Sequence, residues 1–84
     1  MPIYKLLDFY AEWCAPCRAL KPIIESLDIN YEIIDCSTNI IKAQEYHVVS
    51  IPTLILLKNY EEVGRITKPT PSKEFIENWI KENE

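Results

Sequence analysis

The sequence predicts an α/β domain of element order βαβαββα, a four-stranded mixed sheet flanked by three helices. Three observations carry that reading. Dense apolar runs at Ile3–Tyr10 and Thr53–Lys58 have the length of buried strands. Leu20, Ile23, Ile24 and Leu27, and later Phe75, Ile76, Trp79 and Ile80, recur at the spacing of one helix face. The chain turns at Asn59-Tyr60 between the last two strands, which makes them an antiparallel hairpin.

Each element follows from local chemistry. The first strand holds Leu6-Leu7 and Phe9-Tyr10 with one acid, Asp8, between the pairs. The first helix is expected over Cys14–Leu27. Pro16 is tolerated in its first turn, whereas Pro22 removes a hydrogen bond further in and predicts a kink. Tyr31–Asp35 is a short β-branched run and reads as the second strand. Ser37 or Thr38 is expected to cap a short helix through Tyr46 with Ile40, Ile41 and Ala43 facing inward, and His47 to end it in a left-handed turn. Thr53–Lys58 and Glu62–Thr67 form the hairpin. Asn59 tolerates positive φ, although Asn-Gly is the stronger turn signal. Thr70 then caps, and Pro71 opens, the last helix, whose Lys81–Glu84 end should fray. The helical first connection is long enough for a right-handed parallel crossover.

Composition narrows the function. Residues 1–84 are expected to form a single domain, which buries about 60% of its unfolded surface. With 48% apolar residues and one glycine, the chain has the makings of a folded core. A net charge of −4 without a basic cluster argues against nucleic acid or an anionic membrane as partner. Three cysteines are too few, and odd in number, for a disulfide scaffold. Neither a secretory leader nor an apolar stretch of membrane-spanning length is visible, so a reducing cytoplasmic compartment is expected.

The chemistry concentrates in Trp13-Cys14-Ala15-Pro16-Cys17. Two thiols three residues apart can share one face of a helical turn, with α-carbons roughly 5–6 Å apart and within disulfide reach. At a helix N-terminus, free backbone N–H groups and the helix dipole both stabilise a thiolate. The segment therefore reads as a disulfide that is made and broken repeatedly.

Asp8-Phe9-Tyr10-Ala11-Glu12-Trp13-Cys14-Ala15-Pro16-Cys17 resembles the active-site segment of the thioredoxin family. Pro22, five residues after the second cysteine, matches the family's helix proline. Ser50-Ile51-Pro52-Thr53 resembles its cis-proline loop, and Lys58-Asn59 falls where its hairpin turns. The resemblance runs from Leu6 onward and implies a minimal thioredoxin fold. It implies a protein-disulfide reductase in which Cys14 attacks a substrate disulfide and Cys17 resolves the mixed disulfide, with Asp8 as base and its pKa raised toward neutrality by burial. It further implies that Trp13, Ile51 and Pro52 form the substrate-docking surface, with Pro52 opposite Cys14 after a cis peptide. No cofactor beyond the disulfide is implied. The implied partners are disulfide-containing proteins, ribonucleotide reductase among them, and a thioredoxin reductase-like electron donor; the protein is expected to be a monomer.

Other readings of these residues stay open at this point. Cys14, Cys17, Cys36 and His47 supply four possible zinc ligands, although no second paired motif exists. A thioredoxin-fold binding module without turnover, or a glutaredoxin-like or oxidase-like relative, would share the fold. Asp8 could be a turn acid, Pro52 an ordinary trans proline, and Trp13 plain core. Cys36 reads as a small buried hydrophobe, and Arg18 and Lys21 as a solvated face whose charge could influence partner choice. The chain also departs from the family pattern. Only seven residues precede Asp8 where a full-length member has a further strand and helix. The first helix is short, Tyr31 stands where a lysine usually neighbours the buried acid, and Lys68, Pro69 or Thr70 replaces the glycine of the substrate groove.

Overall fold

A computed structural model describes residues 1–84. The elements follow in the expected order: β1 (Tyr4–Tyr10), α1 (Ala15–Glu25), β2 (Asn30–Asp35), α2 (Ile40–Glu45), β3 (Thr53–Lys58), β4 (Glu61–Thr67) and α3 (Lys73–Asn83). The sheet order is β2-β1-β3-β4. β1 pairs parallel with β2 and antiparallel with β3, and β3 pairs antiparallel with β4. The fold is the four-stranded mixed sheet with three helices that the pattern predicts.

Alternation along the strands divides the core in two. Leu6 and Leu54 meet Leu20, Ile24 and Leu27 of the α1 segment and Ile76 of α3 on one face. Leu7, Phe9, Ile34, Ile55 and Leu57 meet Ala43 and Tyr46 on the other. β1 is buried on both faces because it is central and covered by helices on each side. Fully burying a side chain such as Phe9 is worth about 1.5–3 kcal/mol over leaving it in water.

Several local expectations need correction. Ile40 and Ile41 point outward, at 58% and 71% exposure, and only Ala43 of α2 is buried. A helix of six residues has room for little more than one inward side chain, and Tyr46 takes the next place by packing on Phe9 with ring centres 5.8 Å apart. Neither Ser37 nor Thr38 caps α2. Ser37 is engaged by Asp35, whose Oδ1 accepts from both its N–H and its hydroxyl, and Asn39 takes the cap position. The cap of α3 is Ser72, whose Oγ accepts from Phe75 N at 3.2 Å; Pro69 and Pro71 lie in the entry loop. The end of α3 is tied down: Asn83 Nδ2 donates to Trp79 O, and Tyr4 Oη donates to Glu84 O. α1 runs on through Pro22 to Glu25. His47 takes the left-handed conformation expected of it, with φ 55°.

β4 carries an irregularity that matters below. Leu57 pairs with Glu62 and Leu56 with Gly64, so Val63 is an extra residue without a partner on β3. Gly64, the only glycine, lies where β4 passes α3. A β-carbon there would come within 2.6 Å of Asn83 Oδ1.

Candidate active site

β1 delivers the chain to the site and α1 carries it away. Between them Cys14 occupies the N-cap of α1, and its Sγ accepts from Cys17 N at 3.4 Å. Pro16 falls in the first turn, where no N–H is required. The α-carbons of Cys14 and Cys17 are 5.2 Å apart and their sulfurs lie within disulfide distance. Tyr10, Ala11, Cys14 and Cys17 form a buried cluster against which Ile33 and Ile51 pack. Cys14 retains 7% of its surface and Cys17 none.

Asp8 lies buried on β1, two residues before Tyr10 of this cluster. It shares a face of β1 with Tyr10, two residues on, and its neighbours across the ladder are Ile33 of β2 and Leu54 of β3. It has no exposed surface, and neither carboxyl oxygen has a hydrogen-bond partner. Removal from water favours the neutral acid, and burial pushes the Asp8 pKa up from 3.8 to about 7.

A cation does oppose that rise, but it comes from α1. The positive charge of Lys21 pulls the Asp8 pKa downward. Lys21 Nζ stands 5.3 Å from the centre of the Tyr10 ring and 4.0 Å from Glu12 Oε1, which also accepts from Tyr10 Oη. Tyr31, at the expected lysine position, pairs with Leu6 and is partly exposed. Lys21 thus has a place in the site that a solvated helix face did not suggest. Its position one turn after Cys17 was the available signal. Arg18 stays exposed, its Nη1 donating to Glu12 O at 2.7 Å.

The other predicted residues differ in exposure and in what they touch. Trp13 is 74% exposed, which excludes plain core packing. The Ile51-Pro52 peptide is cis. Ile51 is half-buried against the cysteine cluster, and Pro52 is buried. Val49 beside them is fully solvent-facing. Lys68, in the region of the missing groove glycine, has φ 51° and donates its N–H to Pro52 O at 2.8 Å. Cys36 is a free, half-buried thiol that packs on the α2 side, and its pKa is raised chiefly by burial. No group of three or more His, Cys, Asp or Glu side chains is arranged to hold a metal ion.

The sequence and the fold are shared with known proteins. The thioredoxin family model matches residues 3–82. The chain belongs to the thioredoxin family. It is 45% identical to thioredoxin of Chlamydia pneumoniae over 80 residues, an alignment covering 89% of this chain and 78% of that one. It is 37% identical to thioredoxin of Staphylococcus epidermidis, covering 87% and 76%. Among solved structures, thioredoxin of Fasciola hepatica superposes with a TM-score of 0.85 at 26% identity, covering 98% of this chain and 82% of that one. A mutant thioredoxin from Halobacterium salinarum gives 0.77 at 34% identity, covering 90% and 74%. As a thioredoxin-family protein with a Cys14–Cys17 pair at disulfide distance, the chain is a thiol-disulfide oxidoreductase. The family implies disulfide-bearing protein substrates and a reductase as electron donor, and it works through its redox-active disulfide. No helix is long and apolar enough to cross a membrane.

Proposed function

We propose that the chain reduces protein disulfides by a two-step exchange in which Cys14 attacks and Cys17 resolves. The observation that carries the assignment is the difference in access: Cys14 keeps some surface at the helix tip, whereas Cys17 has none. Cys14 is the N-cap of α1, so its thiolate faces the positive end of the helix dipole. The Cys14 thiolate attacks one sulfur of the substrate disulfide. A mixed disulfide forms and the other substrate sulfur leaves as a thiolate. Cys17 then loses its proton and attacks Cys14 Sγ. The Cys14–Cys17 disulfide forms and the second substrate sulfur departs. Two electrons pass to the substrate, and the cysteine pair is oxidised.

Asp8 is the proposed base for Cys17. Its oxygens have no competing donors, and a pKa near 7 lets it take a proton at neutral pH. Trp13, Ile51 and Pro52 form the proposed docking surface. The exposed indole of Trp13 offers a substrate apolar area beside Cys14, and Ile51 packs on the cysteine cluster itself. Residues 1–84 act in this reading as one monomeric cytoplasmic domain with no resident cofactor. A ribonucleotide reductase is a proposed client, and a thioredoxin reductase-like protein the proposed donor.

A Cys17→Ser variant in cell extract tests the order of attack. It should accumulate a mixed disulfide through Cys14, released by dithiothreitol and identifiable as the client. Insulin disulfides should be reduced by the parent and not catalytically by the variant. If the parent leaves insulin intact and no partner is trapped, the reductant reading falls.

A further inference from the structure

The segment His47–Pro52, which packs Ile51 against the cysteine cluster and leaves Val49 exposed, is held at both ends by β4 and its exit. At the far end, Lys68 N donates to Pro52 O at 2.8 Å. Thr53 Oγ1 donates to Ser50 O at 2.7 Å and lies 3.4 Å from Thr67 Oγ1. At the near end the anchor is Arg65.

α2 closes with His47 in the left-handed conformation, His47 N bonded to Gln44 O and Val48 N to Ala43 O. That pattern satisfies two of the last carbonyls of the helix. Tyr46 O and His47 O accept instead from Arg65, at 2.6 Å from Nη2 and 3.3 Å from Nη1. Glu62 grips the guanidinium from its other side, with Nε to Oε2 and Nη2 to Oε1 both 2.9 Å. Such a two-point fork fixes the plane of the guanidinium as well as its position.

Residues three apart on a regular strand face opposite sides of the sheet. Glu62 and Arg65 meet because Val63 is extra. Glu62 pairs with Leu57 and Arg65 with Ile55, two β3 residues on the α2 face. The bulge therefore builds the fork, and the fork joins the edge strand to the start of the loop.

We propose that Arg65, oriented by Glu62, is a positioning residue for protein substrates: it fixes the His47–Pro52 loop so that Val49 and Ile51 are already in place to receive the chain that flanks a client disulfide. The inference rests on the docking surface proposed above. It touches no thiol and leaves the exchange chemistry alone. A loop that must order itself on each encounter weakens protein binding, while a disulfide too small to reach the loop is unaffected.

The test compares two oxidants of the reduced protein, insulin and the small disulfide cystamine, in the parent and in Arg65→Ala. In the variant, kcat/KM for insulin should fall about tenfold, chiefly through KM, while the cystamine rate stays constant. Arg65→Lys should resemble Arg65→Ala, because an ammonium cannot reproduce the fork. Backbone amides of Val49, Ser50 and Ile51 should exchange faster with solvent, and those of β1 should not change. An unchanged insulin reaction, or an equal loss with both oxidants, overturns the proposal. If Arg65→Ala does not fold, Glu62→Gln applies the same comparison with the carbonyl bonds kept: a smaller selective rise in KM is expected, and none overturns it. Failure of the parent to reduce insulin would instead remove the reductase reading, and it is seen before any variant is made.

Discussion

Lys21 is the charge that holds down the proton affinity of Asp8. Burial of the carboxyl drives the pKa up, and the Lys21 ammonium acts against it, leaving a value of about 7. The two residues belong to different elements, and burial is the larger of the two opposing effects on this proton. Replacing Lys21 by Gln removes the opposing charge and keeps most of the side chain that covers Tyr10. The Asp8 pKa, followed by NMR of its carboxyl carbon, should move further upward. A pKa that stays in place or falls would assign the balance to another group.

Asp8 should also make stability depend on pH. Its pKa is about 7 in the folded chain against an ordinary 3.8, so the folded state holds this proton more tightly than the unfolded state. Stability from this group is therefore greatest below pH 4, declines as pH rises between about 4 and 7, and is level above that window. At ~1.4 kcal/mol per pKa unit the loss is on the order of 4 kcal/mol. Asp8→Asn should flatten that part of the profile and raise stability at neutral pH. Urea melts at several pH values measure both. The same variant should lose the pH dependence near neutrality of the step that resolves the mixed disulfide.

Gly64 is predicted to tolerate no side chain while Asn83 is present. An alanine β-carbon there meets Asn83 Cγ and Oδ1 within 2.7 Å. Asn83 must leave its bond to Trp79 O to make room. Gly64→Ala should cost about 1–3 kcal/mol, the range of overpacking in a filled site. Asn83→Ala should recover much of that loss. A double-mutant cycle by thermal melting gives the coupling; strictly additive losses would contradict the contact.

Tyr60 is a strained turn residue. Asn59 and Tyr60 have φ of 51° and 70°, the left-handed pair that a two-residue hairpin needs. Asn adopts this region readily, whereas a tyrosine does so at a cost of about 1–2 kcal/mol. Tyr60 is 76% exposed, so its ring contributes little packing. Tyr60→Gly should raise the denaturation midpoint, and Tyr60→Val should lower it. A decrease on glycine substitution would show that the ring contributes more than its exposure suggests.

Much of this architecture is legible in the chain because the signals are local. The apolar runs place β1 and β3, and the spacing of Leu20, Ile24 and Leu27 gives α1 its inward face. The Trp-Cys-Ala-Pro-Cys segment shows both thiols, and Asp8 stands out as an acid within an apolar strand. The features that escape the sequence depend on contacts between distant segments. Ile40 and Ile41 read as core because nothing in the pattern reveals that α2 has only six residues. Thr70-Pro71 is a sound helix start in isolation, yet the entry loop delays the helix to Ser72. Arg65 looks like a surface charge until the extra Val63 turns it toward α2, and the register of a strand pair is not written in either strand alone.

The holding of the His47–Pro52 loop from β4 separates two tasks in space. β1, α1 and the turn between them supply the thiols, the acid, its lysine and the exposed Trp13, whereas β3, β4 and the end of α2 hold the Ile51 side of the proposed docking surface. The two halves meet where Ile51 packs against the cysteine cluster. Recognition can therefore drift, or be redesigned, along the outer hairpin while the redox centre keeps its surroundings. If the proposed docking surface holds, a library confined to Val49, Glu62, Arg65 and Lys68 should change the clientele of this protein without rewriting its chemistry.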